Sequence, residues 1–104
     1  MTSFLMAADR KLIDEVHHIP RKRGNGQLRR EARVDAAGTV TRYDLACVNP
    51  AIHAADNGRV VGYDNQHGYH HRHWMGVVSP VDFKRYDDLE ERFEADWIAS
   101  RNPK

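Results

Sequence analysis

Thr39-Val40-Thr41-Arg42-Tyr43-Asp44-Leu45-Ala46-Cys47-Val48-Asn49 changes character at every second residue. Thr41, Tyr43, Leu45 and Cys47 fall on one side, and Arg42, Asp44 and Ala46 on the other. This is the period of a strand with one face against a core. It makes Cys47 a small buried thiol rather than a nucleophile. Leu28–Asp35 lies just upstream, across Ala36-Ala37-Gly38, so the two arms read as a hairpin.

Downstream, Asn49-Pro50 breaks the strand and Ala51–Asp56 is a connector. Asn57-Gly58 is a turn signal, and Arg59–Tyr63 reads as a short strand. Asp64-Asn65-Gln66-His67-Gly68 is polar and turn-rich. Tyr69–Val78 resumes an extended pattern that Pro80 ends. The last element is a helix: Leu89, Phe93 and Trp97 repeat every four residues, and Ile98 widens the stripe. Asp87 or Asp88 caps it, with Glu90 or Glu91 at capping-box spacing.

Upstream, Leu12, Val16 and Ile19 fall at i, i+4 and i+7. The segment Phe4 to Ile19 is therefore expected to be an amphipathic helix that stops before Pro20. His17 and His18 would lie in its last turn. The expected architecture is α+β over a single domain, 1–104. An antiparallel sheet of about four strands carries the C-terminal helix on one face, with the N-terminal helix beside it.

Composition agrees with one such domain. The chain has 104 residues, 40% hydrophobic and 30% charged, enough for one modest core without cross-links. A single cysteine excludes an internal disulfide and any Cys-x-x-Cys metal or redox motif. No apolar run approaches the roughly 18 residues of a membrane span. Met1–Arg10 lacks the charged and apolar regions of a signal peptide, so a reducing, cytoplasmic setting is expected.

The net charge of +1 is an average. Residues 1–33 carry 8 basic and 4 acidic residues, whereas residues 82–104 carry 5 and 7. The excess is concentrated in Arg21, Lys22, Arg23, Arg29, Arg30 and Arg33. Arginine donors match phosphate oxygens, so this arm is a candidate nucleic-acid contact.

The chemistry is concentrated in Tyr63–Gly76, which holds four of the seven histidines: His67, His70, His71 and His73. On a strand, Tyr69, His71, His73 and Met75 share one face, and His70, Arg72 and Trp74 the other. Three readings follow. His71 and His73 could ligate Zn or Mn with Asp64 or His67. They could act as metal-free acid and base on a phosphodiester, with Asp64 orienting an imidazole and Arg72 or an arm arginine facing the phosphate. Tyr63 and Tyr69 would then contact the bases. Or the cluster is a structural hydrogen-bond network.

Tyr63-Asp64-Asn65, then Gly68, then His71-Arg72-His73 and Gly76 resemble the signature of the TumE-type family, small prokaryotic proteins regarded as toxins of toxin–antitoxin pairs. The likeness covers roughly Tyr43–Trp97. It departs at Tyr69 and His70, where the family carries a glycine and an acidic residue. The resemblance implies a toxin acting inside its own cell and a cognate helix-turn-helix antitoxin. RNA is the implied target, since small toxins of this broad kind often cleave it. Short strand edges also make a homodimer an expectation. The reading favoured at this point is metal-free ribonuclease chemistry at His71, His73, Arg72 and Asp64. The alternatives are a non-catalytic interaction protein and a metal-dependent hydrolase.

Overall fold

The computed structural model describes residues 9–23 and 25–101. Six strands follow one another as an antiparallel meander: β1 (Arg10–His18), β2 (Gln27–Val34), β3 (Val40–Val48), β4 (Arg59–Asp64), β5 (His71–Trp74) and β6 (Val77–Pro80). A single described α-helix, α1 (Tyr86–Arg101), packs against β3 and β4 at the middle of the sheet.

The expected β2–β3 hairpin is present. Its turn is closed by Asp35, whose Oδ1 accepts from the amides of Ala37 (2.9 Å) and Thr39 (3.0 Å). Register then builds the core. Ala32 pairs with Tyr43, Leu45 with Tyr63, and Cys47 with Val61. These side chains meet Leu89 and Phe93 of α1, and all eight are 5% exposed or less. Burial of the Val, Leu and Phe side chains among them stabilises by about 1.5–3 kcal/mol each. Trp97 extends the helical stripe as a partly buried residue, but Ile98 is exposed and does not widen it. The helix begins at Tyr86, so Asp87 and Asp88 lie in its first turn, where negative charge suits the helix dipole.

Two expectations are corrected. The sheet has six strands rather than about four, and Arg10–His18 is a strand rather than helix. The helical reading also took in residues 4–8, which lie outside the described residues. The reason for β1 is visible in its burial. Leu12 and Val16, two of the three residues of the supposed helical stripe, are 50% and 55% exposed, so no core holds that stripe together. The β-branched Ile13 and Val16 suit a pleated surface. Arg10–His18 pairs along β2 with a register shift between Lys11 and Ile13.

The sixth strand arises from a turn inside the segment taken as one extended run. Met75 (φ +44°) and Gly76 (φ +90°) join Trp74 to its partner Val77. Two successive residues at positive φ give the tight hairpin whose twist matches the flanking strands. Met-Gly is not the usual sequence for such a turn, which is why β5 and β6 look continuous on paper.

Cys47 is 5% exposed, and burial pushes its thiol up to about 11. Little thiolate is therefore present near neutrality. Native protein should resist iodoacetamide at pH 8 and become fully alkylated in denaturant, as read by intact mass.

Candidate functional site

The helix covers one face of the sheet and leaves the other uncovered. At the end of β4, Asp64 projects onto the uncovered face. Asp64 pairs with His71 of β5, and Gly62 pairs with His73. The two-residue period therefore brings both imidazoles and the carboxylate to one side. His71 Nε2 lies 2.8 Å from Asp64 Oδ1, and His73 Nε2 lies 3.0 Å from Asp64 Oδ2. The three residues are 3–7% exposed.

Further groups fix this centre. The Gln66 amide donates to Asp64 Oδ1 at 3.0 Å. Arg59 Nη1 donates to Asp64 Oδ2 at 3.4 Å, while its Nε is held by Asp56 at 2.9 Å. Gly62 makes this route for Arg59 possible. A Cβ on Gly62 would lie 3.1 Å from Arg59 Cδ and 2.8 Å from the Leu45 carbonyl oxygen. A register shift pairs Val48 with Arg59 and so brings Arg59 to the Asp64 face, where the missing side chain lets it run over Gly62 to Asp64. The Tyr69 ring, 48% exposed, tilts over His71 with centroids 4.6 Å apart.

The electrostatics of the two imidazoles differ in origin. Burial, and then the Arg59 cation, hold His73 below its ordinary pKa against the pull of Asp64. His71 Nδ1 lies 3.1 Å from the Tyr69 carbonyl oxygen, which can only accept. Nδ1 therefore faces the carbonyl, and Nε2 is the nitrogen turned to the Asp64 carboxylate, 2.8 Å from Oδ1. The ligating atoms of Asp64, His71 and His73 all lie within 4.8 Å of one another, so this trio fits a metal ion.

Arg29, Asp44, Ala46, Asp56 and Arg59 line a shallow depression of about 160 Å³. Arg33, Arg42 and Asp44 line a second depression with Gln66, the residue whose amide holds Asp64. Asp44 is the register partner of Asp64. Burial first, and the Asp64 charge second, raise the Asp44 carboxyl above its ordinary value.

Several sequence candidates do not join this centre. Arg72 is on the helix face, its Nε donating to Asp96 at 2.8 Å and its guanidinium 5.0 Å from the Trp74 ring centroid. β5 is regular over His71–Trp74, so no bulge redirects Arg72. Tyr63 is 1% exposed and donates its hydroxyl to Asp96 at 2.8 Å, so its ring cannot stack on a base. Arg30 is spent on Glu90 and on Glu15, the latter at 2.7 Å. Of the basic arm, Arg29 reaches the depression, and Arg21 and Lys22 stand exposed in a short turn, Arg21–Arg23, between β1 and β2. The side chains of Arg23 and His67 lie outside what the structure describes. His70 is held on the helix side, stacked on Phe83 with Nδ1 2.8 Å from the Tyr43 hydroxyl.

Sequence reasoning missed Arg59. Counted by alternation, it falls on the face opposite Asp64. Its signal was the pair Asp56 and Gly62 around it, an anchor three residues before and a gap three residues after. No family model, curated protein or solved structure matches the chain. No described helix is long and apolar enough to cross a membrane.

Proposed function

We propose that this chain is the toxin of a prokaryotic toxin–antitoxin pair and that it cleaves RNA at the Asp64–His71–His73 centre. The observation that carries the reading is the convergence of two buried imidazoles and a carboxylate beside Arg59, on the face that α1 leaves uncovered. Its support from the chain is the resemblance of Tyr63–Gly76 to the TumE-type signature. Arg29 lines a depression on that face beside Arg59, Asp44 and Asp56; Arg59 is already paired with Asp56 and Asp64, so Arg29 is the guanidinium there that suits phosphate oxygens. In the reaction, a ribose 2′-oxygen bonds to phosphorus as the P–O5′ bond breaks. The centre removes the 2′ proton, and the 5′ oxygen gains a proton from water.

The scheme with His71 and His73 as separate base and acid needs two imidazoles that open on the phosphate independently. Both Nε2 atoms end on Asp64, so the proposal treats the trio as one unit. Arg59 takes the place of Arg72 as the cation of the site. The proposed partners are RNA and a helix-turn-helix antitoxin, and the proposed setting is the cytoplasm.

A structural role is the second reading, and one observation favours it. Asp64 is contacted by four groups, from Arg59, Gln66, His71 and His73, as a buried hub would be. Expression in cells separates the two readings. Induction of the wild type should arrest growth, co-expression of the proposed helix-turn-helix antitoxin should relieve it, and a folded His73→Gln variant should be harmless. Arrest of equal depth by that variant would sink the RNA-cleaving proposal.

A further inference from the structure

We infer that Asp64, His71 and His73 bind one divalent transition-metal ion, with Zn²⁺ the preferred ion. The inference deepens the RNA-cleaving reading of the same centre, but it rests on binding geometry and is tested without turnover.

The donor set is the first ground. Two imidazole nitrogens and one carboxylate suit zinc and its first-row neighbours rather than Mg²⁺ or Ca²⁺, which favour all-oxygen shells. The donor atoms lie within 4.8 Å of one another and their residues are buried, so the trio becomes a ligand set when its side chains close in on an ion with bonds of about 2.0–2.2 Å.

The outer contacts are the second ground, and they do not depend on the first. His71 gives its Nδ1 proton to the Tyr69 carbonyl, the arrangement that fixes a metal-binding histidine with Nε2 free to ligate. His71 Nε2 lies 2.8 Å from Asp64 Oδ1, so the nitrogen left free to ligate sits beside the carboxylate. The Gln66 amide, at 3.0 Å from Oδ1, orients the carboxylate. Three protein ligands match the count of catalytic zinc sites, which keep one position for water or substrate.

Arg59 works in the opposite direction. Its guanidinium, 3.4 Å from Asp64 Oδ2, adds positive charge beside the ion and lowers affinity. This gives the inference a signature that a purely structural hub lacks: removing Arg59 should tighten metal binding.

The test uses the full chain stripped with chelator, titrated with Zn²⁺ by calorimetry and with Co²⁺ by visible absorption. The wild type should take up one equivalent and melt at a higher temperature when loaded. His71→Ala and His73→Ala, each checked for folding by circular dichroism, should lose affinity by at least ~100-fold. Arg59→Ala should bind several-fold more tightly. Co²⁺ absorption by the unmodified chain keeps the test decisive if a histidine variant fails to fold. No saturable uptake of either ion by the wild type overturns the inference, as does uptake that folded histidine variants retain in full. Zinc binding without RNA cleavage sustains the inference and removes the RNA reading. RNA cleavage without any metal uptake does the reverse.

Discussion

Asp64→Ala should lower the unfolding free energy by about 3–5 kcal/mol, one of the two largest single-residue effects expected here. The cost comes from what stays behind. Arg59 keeps its bond to Asp56 but loses the carboxylate it crosses Gly62 to reach. His71 and His73 lose the acceptor for their Nε2 atoms in a site only a few per cent exposed. The Gln66 amide loses the bond that holds the polar turn after β4. Replacement of Asp64 by alanine therefore strands several donors, and stranded buried polar groups cost more than the bonds they made. Urea unfolding followed by circular dichroism reads the change. A loss below about 1 kcal/mol would mean that the carboxylate is not the hub of the site.

Phe93→Ala should cost a similar amount, about 3–5 kcal/mol, for a different reason. Phe93 is 3% exposed and belongs to the cluster of Leu45, Val61 and Tyr63 under α1. Truncation removes its transfer free energy and leaves a cavity that a rigid sheet cannot close. Small domains have only about 5–15 kcal/mol in total, so this variant should lose a large fraction of its stability. The same denaturant series measures it. The result also bears on the site, because the helix that Phe93 anchors holds Asp96 against Tyr63 and Arg72. With α1 loosened, Arg72 would be released from the face opposite His71 and His73.

These expectations show which parts of the molecule are legible in its sequence. β3 is legible because one face meets the helix while the other holds Arg42 and Asp44, so polarity follows the pleat. The pairing of His71 with His73 is legible for the same reason, since alternation alone sorts them from His70 and Arg72, whereas Asp64, read as part of the polar turn, proves to be the last residue of β4. β1 is not, because its apolar residues match helical spacing while Leu12 and Val16 remain exposed. Periodicity reports a face only where a core enforces one. The β5–β6 turn is hidden because Met75 adopts positive φ without the asparagine or glycine that announces it.

At the site, the residues misplaced by sequence are those claimed by the helix. Arg30, Tyr63 and Arg72 look like free donors or stacking groups in a linear reading. Each is bound to an acid on α1, Glu90 for Arg30 and Asp96 for the other two. The acidic character of residues 82–104 is thereby explained in part: two of its carboxylates neutralise cations of the covered face. The charge left for a partner is on the other face, with Arg29, Arg33 and Arg42. Arg59 escaped notice because the register shift at the start of β4 breaks the alternation that would otherwise put it opposite Asp64.

The central claim is that the Asp64–His71–His73 centre cleaves RNA, and purified protein on an end-labelled RNA tests it most directly. The account predicts fragments ending in a 2′,3′-cyclic phosphate. The rate should fall at least ~100-fold in folded His73→Gln. It should be unchanged in Arg72→Gln, whose side chain serves the helix. Intact RNA with the wild type, or equal cleavage by wild type and His73→Gln, would contradict it.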